Sequence, residues 1–122
     1  MAVHTPPGWP VEVQPPDTPG WVRSARAWLL DLTPPDYRGY AVLGRHPAAL
    51  ALLAAAHVEA GLAALRQTRG QTRSSLSALL PPPEVAAVLE VLDHEEVRLL
   101  AAGRAVALVT QALAGQRHTP RM

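Results

Sequence analysis

Leu79-Leu80-Pro81-Pro82-Pro83-Glu84-Val85 decides the fold, because it separates two apolar seams that run at helical spacing. Before it, Val58, Leu62, Leu65, Arg69, Thr72, Leu76 and Leu79 recur at alternating steps of four and three. After it, Val85, Val88, Leu92, Glu95, Leu99, Ala102, Val106, Val109 and Leu113 follow the same alternation. Such steps keep side chains on one face of an α-helix and build the seam of a coiled coil. Folding the chain at Pro82 pairs positions whose numbers total 164: 79 with 85, 76 with 88, 72 with 92, 69 with 95, 65 with 99, 62 with 102 and 58 with 106. The single charge of the first seam, Arg69, then faces the single charge of the second, Glu95. The pattern predicts an all-α protein, an antiparallel helical hairpin of two long helices joined at Pro81–Pro83. Arg69 and Glu95 are its expected register pair, since a polar pair in an apolar seam fixes alignment more than it adds stability.

Outward from the prolines, the first long helix is expected from Pro47 to about Leu80. Its weak stretch is Gln67 to Ser75, where Gly70 costs about 1 kcal/mol relative to Ala, and continuity is expected there. The second is expected from Pro82 or Pro83 to about Ala114, with Glu84 at its positive end and Gly115 as terminator. A shorter helix should begin at Asp17-Thr18-Pro19, Thr18 capping and Pro19 in the first turn, and end near Leu32 before Pro34-Pro35. It carries Trp21, Ala25, Trp28 and Leu32 on one stripe, with Val22 and Leu29 beside them. A second apolar stripe on the long helices, with Leu50 and Leu53 on one and Val97, Leu100 and Leu108 on the other, lies away from the prolines. The short helix is therefore expected to pack on the end of the hairpin far from the turn. Gly61 and Gly103 also total 164 and would leave room there for a close approach. Residues 33–46 should hold a short helical turn around 36–43 that lies on the core. Residues 1–17 read as a Pro-rich extended tail with Trp9 and Val11 touching the core, 18–115 as one helical domain, and 116–122 as a disordered C-terminus.

Composition narrows the function classes. The chain has 122 residues, room for one domain, and no Phe, so its core is built mainly from small aliphatic side chains. All 11 basic residues are Arg, and the net charge of +1 supplies no long-range field toward nucleic acid or anionic membrane. The absence of Cys excludes disulfides, thiolate metal sites and Cys nucleophiles. The first residues lack the basic and apolar regions of a signal peptide, so the expected setting is the cytoplasm. His57 and Glu59 interrupt the most apolar run, Pro47 to Leu65, and an ionisable pair at mid-bilayer is costly; no membrane span is expected.

The candidate chemistry is sparse. Glu90 and His94 share a helical face as a metal pair would, yet His94 mirrors Gly70, and di-iron bundles need such pairs on facing helices. Asp93-His94-Glu95-Glu96 reads instead as a solvated face opposite Arg66, Arg69 and Arg73. His57 and Glu59, two apart on a helix, cannot converge on one ion. Ser74 and Ser75 have no base in view. Asp36, Tyr37, Arg38, Tyr40, Arg45 and His46 crowd a loop above an apolar body and form a candidate loop site. Leu80, Leu89 and Val91 fall off the shared seam beside the prolines and form a candidate interaction tip.

Trp28-Leu29-Leu30-Asp31-Leu32, Asp36-Tyr37-Arg38-Gly39-Tyr40, Val42-Leu43-Gly44-Arg45-His46-Pro47 and His57-Val58-Glu59-Ala60 resemble a group of short Ala/Arg-rich actinobacterial proteins of unassigned function. That resemblance covers roughly residues 8–115 and implies a bacterial, cytoplasmic setting and a helical hairpin, with no catalytic or binding residues to carry over. A looser likeness to the two-helix substrates of type VII secretion lacks their Trp-x-Gly turn, which is Pro-Pro-Pro here. The sequence reading is a non-enzymatic helical interaction or scaffold protein without a cofactor, acting by self-association, possible as a homodimer, or by docking to a protein partner. Its alternative is a nucleic-acid-associated accessory protein using the Arg66, Arg69 and Arg73 stripe.

Overall fold

The computed structural model describes residues 5–117, with residues 1–4 and 118–122 outside it. Its elements are α1 (Trp21–Asp31), a 3₁₀ turn (Pro35–Gly39), α2 (Ala41–Arg45), α3 (Pro47–Leu76) and α4 (Pro82–Arg117), with no strand among the described residues. α3 and α4 pack side by side as the hairpin, and α1 lies against α3.

The hairpin turn sits earlier than its prolines suggest. Pro82 and Pro83 are the first residues of α4, where a missing N–H breaks no intrahelical bond. The reversal itself occupies Ser77 to Pro81: the Leu79 and Leu80 amides donate to the Leu76 carbonyl, and the Glu84 and Val85 amides donate to that of Pro81. Leu79 is consequently 74% exposed and does not face Val85, which is buried. The seam is otherwise turned inward as expected, with Val58, Thr72, Val85, Val106, Val109 and Leu113 buried. Buried Thr72 spends its hydroxyl on the Thr68 carbonyl of its own helix at 2.7 Å, so it needs no partner across the seam.

Register follows the turn. Arg66 reaches Glu96 and Arg69 reaches Asp93, pairs that both total 162, so the fold point is Pro81. A Cβ on Gly103 would meet Val58 at 3.7 Å and one on Gly61 would meet Leu99 at 3.9 Å; the two glycines do not face each other. α3 runs unbroken through Gly70, because one poor residue inside a long packed helix costs less than breaking it. For the same reason α4 passes Gly115 and continues to Arg117, beyond the expected terminator.

At the far end, α1 starts at Trp21, later than Thr18-Pro19 implied. The Thr18 hydroxyl donates to the Pro15 carbonyl at 2.6 Å and does not cap. Gly20, at φ 79°, makes the left-handed step into the helix that a side chain would resist. Trp21, Ala25, Trp28 and Leu29 are buried against Leu50, Ala51 and Ala54 of α3 and Ala105, Val106 and Val109 of α4.

The Pro-rich segment is not an extended tail over its described residues 5–17. Pro6, Pro10 and Pro15 each accept a hydrogen bond from the amide three residues on, at Trp9, Val13 and Thr18. These successive turns place Trp9 and Val13 in the core and leave Val11 95% exposed. The Trp9 indole donates to the Val13 carbonyl at 3.0 Å, and the Gln14 amide donates to Ser24 Oγ of α1 at 2.9 Å. Gly8, at φ 87°, passes close enough to α4 that a Cβ would lie 3.5 Å from Leu108. Of the C-terminal segment 116–122, residues 116 and 117 are helical backbone and the remainder lies outside the described residues.

Candidate interaction surface

The residues singled out near the turn divide. Val91 is 58% exposed, whereas Leu80 and Leu89 are half-buried. The shift of fold point explains Leu80: with α3 ending at Leu76, the turn exposes Leu79 and draws Leu80 inward.

Arg69 and Glu95 do not pair. Arg69 bonds Asp93 at 2.8 Å, and Glu95 takes three hydrogen bonds from Arg98 on its own helix. Two residues of register turn an α-helix by about 200°, so moving the fold point exchanges Glu95 for Asp93 on the side of α4 that Arg69 can reach. The Arg98 hydrogen bonds hold the Glu95 carboxyl below the ordinary carboxylate range, and Glu95 in turn raises the Arg98 guanidinium. Arg66 bonds Glu96 at 2.9 Å, so two of the three arginines of the basic stripe are neutralised across the hairpin, and Arg73 is exposed. His94 and Glu90 are both exposed on α4.

The loop site also splits. Tyr37 and His57 share a hydrogen bond of 2.9 Å between the phenol oxygen and Nε2, with their rings edge to face at 5.4 Å. Tyr40 stands beside Tyr37 at 5.8 Å, Arg38 bonds Asp31 at 2.6 Å, and Asp36 is exposed. Arg45 and His46 line a separate open cavity of about 720 Å³ with Val22, Pro47, Ala49 and Leu113. The six loop residues do not converge on one reacting position.

A second apolar feature lies outside the candidate sites that the sequence pattern points to. On the side of the hairpin that α1 leaves uncovered, a groove of about 440 Å³ runs between α3 and α4. Ala55, Leu62, Leu99, Leu100, Gly103 and Ala107 line it, with Glu59 and Arg104 at its edges. Leu52 is 71% exposed on the same helix, and Val97 is 68% exposed on α4. Val97 and Leu100 were expected beneath the N-terminal helix. The end of α1 reaches this height of α4, where Asp31 and Leu32 lie beside Arg98, Ala101 and Ala102, but Val97 and Leu100 are turned off the side it covers, and of that stripe on α4 only Leu108 packs against the core. The available signal was the run of Ala and Leu all round α3 between Pro47 and Leu65, more apolar surface than its neighbours can cover.

No protein-family model matches the chain, and neither the curated proteins nor the solved structures compared with it contain a match.

Proposed function

We propose that the protein is a non-enzymatic helical interaction module, acting through its hairpin by self-association or by docking to a protein partner. The carrying observation is the set of exposed aliphatic side chains on the hairpin, Leu52 on α3, Val91, Val97 and Leu100 on α4 and Leu79 in the turn, with no cover among the described residues. The bonding of the polar side chains agrees with it. Tyr37 and His57 bond each other, Arg38 is held by Asp31, and Arg66 and Arg69 are held by carboxylates of α4. Their donors and acceptors are spent on the fold.

Light scattering on a size-exclusion column, with a pull-down by the intact chain and by a Val91→Asp/Val97→Asp variant, tests this reading. Self-association or capture of a partner that the variant weakens supports it. A wild type that neither associates nor captures anything sinks it.

A second reading, insertion of the hairpin into a bilayer, draws on hydropathy. An 18-residue window of α3 averages 1.8 and one of α4 averages 1.4, with 22% of each buried. Glu59 and Arg104, standing exposed among these aliphatic residues, weigh against it. Flotation with liposomes separates the two.

A further inference from the structure

We infer that the groove between α3 and α4 is covered by a second copy of this chain, packed face to face about a two-fold axis along the hairpin, with Glu59 of each copy against Arg104 of the other. The inference rests on the interaction reading and names its partner.

Charge selects the occupant. Among the described residues, Glu59 and Arg104 are exposed at the groove and have no ionic partner, while Arg66, Arg69 and Arg98 on the same hairpin each hold a carboxylate. Of the residues lining the groove, the acid without an ionic partner is on α3 and the base without one is on α4. A two-fold axis parallel to the helices lays α3 of one copy over α4 of the other at equal height. It therefore brings Glu59 to the second copy's Arg104 twice over, as an isologous interface requires.

The same operation sets Arg66 and Arg69 above the second copy's Glu96 and Asp93, so these charged positions also meet their opposites. A two-fold axis across the helices would instead lay α3 over α3 and bring Glu59 to Glu59 and Arg104 to Arg104. The surface is its own complement in one orientation, with the arms parallel and the tips side by side.

Shape and extent agree. Ala55, Gly103 and Ala107 are small enough to admit the second copy's Leu52, Leu62 and Leu100 into a four-helix arrangement. α3 has 30 residues, which gives a face about 45 Å long and, for two helices, about 20 Å wide. Roughly 900 Å² per partner meets the ~800 Å² of a standard-size interface.

The test uses charge reversal followed by light scattering and sedimentation equilibrium. The wild type is expected to be a dimer. Glu59→Arg alone and Arg104→Glu alone each place like charges together twice, raising the dissociation constant about tenfold to a hundredfold. Mixing the two single variants restores both pairs and is expected to yield the heterodimer at near wild-type affinity. Circular dichroism confirms that the variants fold, both side chains being exposed.

Orientation is read from Ser77→Cys, introduced into a chain without cysteine. Labels there are expected close together for parallel arms and about 60 Å apart for antiparallel arms, since twenty helical residues span about 30 Å. A monomeric wild type, association indifferent to both reversals, a failed rescue on mixing, a long label distance, or flotation with liposomes overturns the inference. A monomer that still captures another protein through Val91 and Val97 overturns it while leaving the interaction reading standing.

Discussion

At the residue scale, few polar side chains have a structural duty, and each has a measurable consequence. The Tyr37 phenol and His57 ring tie the connection between α1 and α3 to the middle of α3. Tyr37→Phe keeps the ring contacts and removes the bond, so it is expected to lower unfolding stability by about 1 kcal/mol, read from a urea titration. Glu95 is different, because its partner is one turn away on the same helix. Its folded carboxyl lies below the unfolded value, so its contribution is complete above the unfolded carboxylate pKa and disappears as pH falls through the folded one. Wild type and Glu95→Gln should therefore differ in stability at neutral pH and converge in acid. A difference that persists at the lowest pH would assign the effect to packing. The sequence made legible the presence of a cation on one helix and an anion on the other at mid-hairpin, but the pair it suggested, Arg69 with Glu95, does not form. The choice of Asp93 was not legible, because it depends on where the turn lies, and three prolines in a row do not say which of them is already helical.

At the element scale, the seam residues were readable from spacing and the axis between them was not. Leu79 and Val85 satisfy the same periodicity in the sequence, yet one is exposed and the other buried, because α3 stops at Leu76. That difference is testable: Val85→Ala should cost about 1–2 kcal/mol as a buried truncation, and Leu79→Ala should stay within about 0.5 kcal/mol. Equal costs would return the fold point to Pro82. Gly70 tests the middle of the same helix. It sits in continuous helix with open space where a Cβ would lie, so Gly70→Ala removes backbone entropy from the unfolded chain without a clash. A gain of about 0.5–1 kcal/mol is expected in chemical denaturation. The open groove is absent from the periodicity for a related reason. Periodicity reports which residues share a face, whereas coverage of that face depends on which side of the hairpin a third element takes, and α1 lies on the side away from the groove.

At the scale of the whole molecule, the hairpin is unevenly supported. Its far end is wrapped by α1, the turn-rich N-terminal segment and the connection, while the arm from about residue 62 to 99 has two helices and no third layer. The N-terminal segment was misread as a tail because proline content is shared by extended chains and by consecutive turns. What separates them is the residue three positions after Pro6 and Pro10, and here those residues are Trp9 and Val13. Trp9 lies against Trp21 at 6.1 Å between ring centroids, and Gly8 passes beside Leu108, so the segment closes the core along α1 and α4. Trp9→Ala should then behave as a core truncation, costing about 3 kcal/mol or more, with the melting midpoint falling accordingly. Val11→Ala, two residues away and exposed, should leave it unchanged. The loss should also appear as faster amide exchange in α1 and in the buried stretch of α4 from Ala105 to Leu113, with the arm, which has no third layer, changing least. Equal effects of the two substitutions would mean that the segment lies on the protein without holding it together.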